Sequence, residues 1–190
     1  MARSRKHSLG DALQIAAAFV LGLCAAKAAE IIFQVSLAGF GIVPRTMWGL
    51  IGVLFSPFLH GNLAHLAANV APLFVLLTVL FWDQRYQPAW SLALIWIGSG
   101  LGTWLIGRSH AGATPMVHIG ASSLIYGLVA FLISAGFLLS NWRAVIIAIL
   151  VLILYGGIFF GLLPHAGPVS WEGHLSGAIA GVWAARRVLR

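Results

Sequence analysis

Long apolar segments alternate with short polar ones along the whole chain, and this pattern predicts its helices. A long apolar run of this kind indicates a membrane-spanning helix. The six predicted spans are residues 11–33, 58–82, 89–106, 121–139, 144–163 and 174–188. The pattern therefore predicts an all-α membrane protein, a bundle of six transmembrane helices.

The first connection, residues 34–57, is much longer than the others and is broken repeatedly. Its helix-breaking residues are Gly39, Gly41, Pro44, Gly49 and Gly52. Trp48 and Phe55 in the same stretch suit a membrane–water interface. We expect a long first loop that is re-entrant or interfacial and contains short helical pieces.

Composition supports this interpretation, because 61% of the residues are hydrophobic and only 8% are charged. A soluble domain carries roughly 25% charged residues. The net charge of +7 does not indicate nucleic-acid binding, since the basic residues are few and dispersed. The single cysteine, Cys24, forms no internal disulfide. The lipid bilayer is therefore the predicted environment, with no nucleic-acid partner.

The distribution of basic residues predicts the topology. With six spans both termini lie on one side, and most of the arginines and lysines lie on that side. They are Arg3, Arg5, Lys6, Arg85, Arg143, Arg186, Arg187 and Arg190, against Arg45 and Arg108 on the other. The positive-inside rule then places both termini in the cytoplasm. We expect a basic cytoplasmic tail, residues 1–10, and a membrane domain, residues 11–190, in the plasma membrane.

Polar side chains inside predicted spans are costly in lipid and are therefore functional candidates. Four stand out: His65, Asn69, Ser122 and His174. They come from the second, fourth and sixth spans, all of which begin on the outer side. All four should therefore lie in one layer near the outer surface.

These residue types together predict nucleophilic catalysis. A serine at the start of a helix is ordinarily a cap, but Ser122 shares its layer with an imidazole. Serine needs a base within hydrogen-bonding distance, and His174 suits that role. His65 and Asn69 lie four residues apart on one helical face, and with the Ser122 amide they could hold an oxyanion.

A third member of a catalytic triad is not evident. The only acidic residues are Asp11, Glu30, Asp83 and Glu172. Glu172 precedes His174 by two residues and would face away from it on a helix. Glu30 and Lys27 are three residues apart and are interpreted as a structural pair. A Ser122–His174 dyad is therefore predicted, with the Tyr126 ring either stacked on His174 or in ordinary packing.

Small residues offer a way to bring the two spans together. Gly177 and Gly181 form a small-residue stripe below His174, and the fourth span presents Gly120 and Gly127. Such stripes let helices approach closely. We expect a short, close contact between the fourth and sixth spans.

The remaining histidines are predicted to have no catalytic role. On a continuous helix His60 would point about 140° away from His65, so it is interpreted as a structural group that braces the loop. His110, His118 and His165 fall in loops predicted to be solvated. Neither a metal-binding motif nor a Cys/His cluster is present, so no metal and no cofactor are expected.

Three motifs resemble the rhomboid family of intramembrane serine proteases. His60-x-x-x-x-His65-x-x-x-Asn69 is similar to the family's motif on its second helix. The nucleophile motif Gly-x-Ser-Gly is matched by Gly120-Ala121-Ser122-Ser123, with a serine in place of the last glycine. His174-Leu175-Ser176-Gly177 is similar to the sixth-helix motif. Each is modest alone, but the set at these spacings is specific.

The resemblance implies a rhomboid-like bundle and a serine endopeptidase with a Ser122–His174 dyad. It implies an oxyanion hole from His65, Asn69 and the Ser122 amide, and a Tyr126 ring against His174. The implied partners are transmembrane protein substrates, cut near the outer end of a transmembrane segment. The implied substrate gate is residues 144–173.

Two alternatives belong to other classes. A catalytically silent rhomboid-like protein that binds membrane clients would ordinarily have lost the serine or the histidine, and both are present. A small transporter or channel would show inverted repeats with broken helices, and the sequence has none.

Overall fold

The computed structural model describes residues 8–111, 113–164, 167 and 169–190, and within them the chain is almost entirely helical. Residues 1–7 of the predicted basic tail, and His165, lie outside the described residues. The α-helices are α1 (Leu9–Phe33), α2 (Gly49–Phe55), α3 (Leu63–Trp82), α4 (Pro88–Ile106), α5 (Ser122–Leu138), α6 (Trp142–Tyr155) and α7 (Trp171–Val188). Two short antiparallel strands, β1 (His110–Ala111) and β2 (Thr114–Pro115), precede α5.

Four of the described helices are long and apolar enough to cross a membrane. They are Leu9–Phe33, Leu63–Trp82, Pro88–Ile106 and the extended segment Trp142–Leu162. The apolar helix Ser122–Leu138 has 17 residues and is shorter. The chain is therefore an integral membrane protein with a helical bundle, as predicted, and the count of six spans stays a prediction.

Polar caps determine where several helices begin. The Ser8 hydroxyl accepts the Asp11 N–H and the Asp11 carboxylate accepts the Ser8 N–H, which fixes the start of α1. The Asn62 side chain likewise accepts the His65 N–H and starts α3. The predicted start of this span at residue 58 was wrong, because Ser56–Phe58 is a separate 3-10 helix.

The predicted fifth span also differs from the structure. Its α-helical part, α6, ends at Tyr155, and Gly156–Leu162 continues as a 3-10 helix. This segment contains Gly156, Gly157 and Gly161. Only proline destabilises the interior of an α-helix more than glycine does. The glycines therefore change the helix type before the apolar stretch ends.

The centre of the bundle is α5, whose side chains are buried on nearly all sides. Leu124, Leu128, Phe131 and Leu132 are fully enclosed, and α3, α4, α6 and α7 pack around them. A separate face of α3 packs against α1. The α1 residues in that contact recur at helical spacing and are Ala12, Ala16, Val20 and Leu23.

The contact between α5 and α7 is made by backbone against backbone. A Cβ atom added to Gly177 would lie 2.0 Å from the carbonyl oxygen of Ser123. One added to Gly181 would lie 2.0 Å from that of Gly127. Any side chain at either glycine would push the helices apart, so the small-residue stripe is what permits this close crossing.

The long first loop contains short helical pieces, as predicted: α2 and the 3-10 helices Ala38–Phe40 and Ser56–Phe58. It also holds the segment that leads into α5. Ile42 pairs with His118 in an isolated β-bridge, and the Gly120 N–H donates to Ser56 O at 2.9 Å. The loop therefore fixes the approach of the chain to Ser122.

Candidate functional site

Ser122 and His174 are brought together at the ends of two helices. Ser122 is the first residue of α5, and His174 lies in the first turn of α7. The distance from Ser122 Oγ to His174 Nε2 is 3.1 Å, which is a hydrogen bond. The close α5–α7 crossing below them sets this distance.

The other ring nitrogen of His174 is held by a backbone carbonyl. His174 Nδ1 lies 3.0 Å from Gly161 O in the 3-10 helix. A carbonyl can only accept, so Nδ1 carries the proton and donates it to Gly161 O. Nε2 is then unprotonated and accepts the hydrogen bond from the Ser122 hydroxyl. This is the tautomer that a general base requires.

Gly161 was not predicted as a site residue, because a backbone carbonyl can be supplied by any residue type. The absence of a side chain at this position matters nevertheless. An added Cβ would lie 2.0 Å from Tyr126 Oη and 3.2 Å from His174 Nδ1. The sequence signal that could have indicated this position was Gly161 itself, a glycine within the apolar fifth segment.

The Tyr126 ring lies flat against the His174 imidazole. Their centroids are 4.1 Å apart and the planes differ by 7°. Stacking on one face and hydrogen bonds at both nitrogens together restrict the imidazole to a single orientation. Tyr126 follows Ser122 by one helical turn, so α5 supplies both residues.

His65 and Asn69 line the same cavity as Ser122, Tyr126 and His174, and its volume is about 580 Å³. Asn69 is buried, and its Nδ2 donates to His65 O at 2.7 Å. Gly120 has a φ of +108° and lies directly against the His65 ring, which an added Cβ would approach to 2.7 Å. A glycine is needed there for both reasons. The two predicted oxyanion donors therefore share a cavity with the serine. Among the described residues, neither side chain is hydrogen-bonded to the Ser122 hydroxyl.

The predicted orientation of His60 was wrong. Because α3 begins only at Leu63, His60 is not on the same helix as His65, and their rings meet edge to face at 5.0 Å. His60 is 2% exposed, and its Nε2 has no hydrogen-bond partner among the described residues. Burial, followed by the nearby His65, lowers the pKa of His60 to about 4.

Lys27 and Glu30 form the predicted ion pair at 2.8 Å near the end of α1. The pair has wider contacts than the sequence indicated. Lys27 Nζ also donates to His60 O at 2.9 Å, and Glu30 Oε1 accepts the Leu37 N–H at 2.7 Å. The pair thereby ties α1 to the chain just before α3.

A second ion pair anchors the beginning of α7. The Glu172 carboxylate, only 1% exposed, binds the Arg108 guanidinium from the loop after α4. Arg108 Nη2 also donates to Val169 O at 3.1 Å. Glu172, which precedes His174 by two residues, therefore pairs with Arg108 and fixes the start of α7 to the loop after α4.

The prediction that His118 is solvated was wrong, since it is 4% exposed. Its Nε2 donates to Arg108 O at 2.9 Å, and its Nδ1 accepts from the Ser170 hydroxyl. The Ser170 oxygen in turn accepts the Gly173 N–H and caps α7. Burial is the main cause that lowers the pKa of His118. His110 is exposed, as predicted.

No group of three or more metal-ligating side chains occurs among the described residues. The side chains and backbone of the site offer chemistry of their own. It consists of a serine hydroxyl, an imidazole able to take its proton, and amide and imidazole donors around one cavity.

Comparison with known proteins identifies relatives over most of the chain. A family model for the Rhomboid domain matches residues 44–190. An uncharacterized protein of Mycobacterium tuberculosis (strain H37Rv) is 47% identical over 148 residues, which cover 76% of this chain and 62% of that protein. An uncharacterized protein of Mycobacterium leprae is 44% identical over 138 residues, covering 70% of this chain and 54% of that protein.

The chain thus spans between 54% and 62% of the length of these two curated relatives. No solved structure matches the chain.

Proposed function

The chain belongs to the rhomboid family, and on that premise we propose that it is an intramembrane serine protease. It would hydrolyse peptide bonds of membrane-protein substrates near the outer end of a transmembrane segment. The observation that carries the proposal is the hydrogen-bonding of His174, with Nδ1 on Gly161 O and Nε2 on Ser122 Oγ. A structural serine does not require a neighbouring histidine whose Nδ1 is protonated and whose Nε2 is free to accept the hydroxyl proton.

The reaction would follow from this geometry. Ser122 Oγ attacks the substrate carbonyl carbon while His174 Nε2 takes the hydroxyl proton. The tetrahedral intermediate collapses as the imidazolium returns that proton to the leaving amine. Water then repeats the sequence on the acyl-enzyme, which releases the acid and regenerates Ser122. The Gly161 carbonyl keeps Nδ1–H bonded throughout and favours the imidazolium.

The negative oxygen of the intermediate would be stabilised by His65, Asn69 and the Ser122 N–H. Their position on one cavity supports this role. The Ser122 N–H lies in the first turn of α5, where backbone donors have no helical acceptor and the helix dipole is positive.

The proposal includes a six-span topology in the plasma membrane. The site would lie near the outer surface, and both termini would lie in the cytoplasm. The four long apolar helices support membrane insertion. The excess of arginine and lysine on the side of the termini supports the orientation.

A client-binding protein without hydrolytic activity is the second candidate. The observation that favours it is Ser123, where the family's nucleophile motif has glycine. Ser123 follows the proposed nucleophile and its backbone carbonyl faces Gly177. A change at this position could silence the site while leaving the cavity able to hold a transmembrane segment.

A fluorophosphonate probe separates the two candidates, because it labels a serine that a base has activated. We expect the detergent-solubilised protein to be labelled, and Ser122→Ala and His174→Ala each to abolish labelling. A folded wild-type protein that is not labelled would overturn the protease proposal and leave client binding.

The oxyanion hole can be tested separately. Asn69→Ala should lower kcat by about ten- to a thousandfold, the effect of losing one oxyanion donor. Fluorophosphonate labelling and turnover of a transmembrane substrate should both fall. Turnover equal to that of the wild type would remove Asn69 from the hole.

A further inference from the structure

α3 contains a proline at the depth of the cavity. Pro72 lies inside the helix, four residues after Ala68. Proline has no backbone N–H, so it cannot donate the helical hydrogen bond to the carbonyl of Ala68. Its ring also crowds that carbonyl and tilts it away from the helix axis.

The affected carbonyl belongs to the wall of the proposed active site. Ala68, Asn69 and Pro72 line the same cavity as Ser122 and His174. Ala68 is exposed and Pro72 is half-buried. Among the described residues, no backbone N–H outside α3 donates to Ala68 O.

Neighbouring carbonyls on this helix are treated differently. The carbonyl of His65, one turn earlier, receives an additional donor from Asn69 Nδ2 at 2.7 Å. The carbonyl of Ala68 instead loses its ordinary donor. The helix therefore presents one extra acceptor, and it does so on the cavity side.

An acceptor of this kind matches a need of the substrate. A transmembrane segment must leave its helical conformation to be cut, and its backbone N–H groups then lose their partners. In a membrane such groups cost several kcal/mol unless they are paired. A carbonyl oxygen of the protein that has lost its helical N–H donor likewise requires a hydrogen-bond donor.

We propose that the Ala68 carbonyl, released by Pro72, accepts a hydrogen bond from one backbone N–H of the unwound substrate segment. This inference rests on the proposed function only in that a transmembrane segment enters the cavity. It makes α3 a contributor to substrate binding through its backbone as well as through His65 and Asn69.

The test measures binding rather than hydrolysis, in the Ser122→Ala background. A fluorescent transmembrane peptide with a central Ala-Gly-rich stretch serves as the probe in detergent micelles. In a series of such peptides, one backbone amide at a time is replaced by an ester, which removes a single N–H. We expect one ester position to weaken binding by about three- to tenfold, the net effect of one hydrogen bond.

The same series is then measured on Ser122→Ala/Pro72→Ala, in which residue 72 regains an N–H that occupies the Ala68 carbonyl. The penalty at that ester position should disappear. Pro88→Ala is the matched control, since Pro88 is the first residue of α4 and its missing N–H leaves no helical carbonyl unpaired. The penalty should be unchanged there.

Equal ester penalties in the proteins with and without the Pro72→Ala change would overturn the proposal, whatever happens to overall affinity through straightening of α3. Because nothing is hydrolysed, the outcome is independent of fluorophosphonate labelling. A protein that fails to label but shows the Pro72-dependent penalty would lose the protease function and keep the binding site.

Discussion

His174 is held from two sides that are built very differently. Toward α5, its helix is fixed by glycines that bring two backbones into contact, with an added Cβ at Gly177 only 2.0 Å from Ser123 O. Toward the end of α6, its ring is held by a single hydrogen bond to Gly161 O, in a 3-10 segment with no buried residue.

The difference separates two requirements of the proposed dyad. The α5–α7 contact sets the distance between Ser122 and His174, and it is a packed interface that cannot adjust gradually. The Gly161 contact sets which nitrogen faces the serine, and it lies on a segment with no buried residue. The Ser122–His174 distance is therefore set by a packed interface, whereas the orientation of the imidazole depends on a contact to the 3-10 segment.

The largest effect is expected from breaking the rigid side. Gly177→Val would place three carbons against the Ser123 backbone, separate α5 from α7 and lengthen the Ser122–His174 distance. Turnover should fall to that of Ser122→Ala, and the thermal midpoint should fall as well. Full activity in this variant would show that the close crossing does not position the dyad.

A smaller effect is expected from the other side. Gly161→Ala would put a Cβ 2.0 Å from Tyr126 Oη and displace the 3-10 segment from His174. We expect kcat to fall by about ten- to a thousandfold, because losing the group that sets a histidine tautomer has cost up to about 10⁴ elsewhere. The thermal midpoint should change little.

Gly157→Ala is the matched control, since nothing lies within 4 Å of a Cβ added there. Both changes add one methyl group to the same segment. If the two variants lose activity equally, the effect is on the segment's general flexibility and not on the His174 contact.

The start of α7 offers a third comparison, between a buried ion pair and an exposed one. Glu172→Gln would leave Arg108 without its buried carboxylate, and we expect the free energy of unfolding to fall by about 3 kcal/mol. Asp83→Asn removes the partner of Arg85 in a more exposed turn and should cost less than about 1 kcal/mol. Denaturation in mild detergent measures both, and equal losses would contradict the assigned anchoring role.

The smallest expected effect is a dependence on pH. His118 is neutral in the fold because burial lowers its pKa below the ordinary 6.5. The unfolded chain takes up the proton first, so the contribution of His118 is complete above pH 6.5 and is lost as the pH falls below it.

The thermal midpoint should therefore fall as the pH is lowered from about 7.5 to about 5. In His118→Gln this fall should be smaller than in the wild type. His110→Gln, at an exposed position, should leave the wild-type slope. A variant slope at His118 identical to that of the wild type would mean that protonation there does not disturb the Ser170 cap.

The parts that could be predicted from sequence are those that one residue type determines locally. The apolar segments located α1 and α4 to within two residues at each end, and glycine spacing indicated the α5–α7 contact. The errors have equally local causes. His60 was assigned to a helix because apolarity continues through it, whereas the Asn62 cap decides that α3 starts later.

The other omissions arise from contacts that are distant in sequence. His118 looked like a loop histidine, and only the approach of Arg108 and Ser170 buries it. Gly161 O is a backbone group 13 residues from His174, which no residue pattern specifies.

The hydrogen bond from Lys27 to the carbonyl of His60 shows that the folded structure depends on a helix that precedes the residues matched by the family model. The family model matches from residue 44, and α1 lies before that residue. This helix packs against one face of α3, and its Lys27 donates to the carbonyl of His60, whose ring contacts His65. A protein trimmed to the shared region would expose that face and lose that cation. The α1 helix, which precedes the matched residues 44–190, is therefore part of the architecture that supports the proposed oxyanion hole.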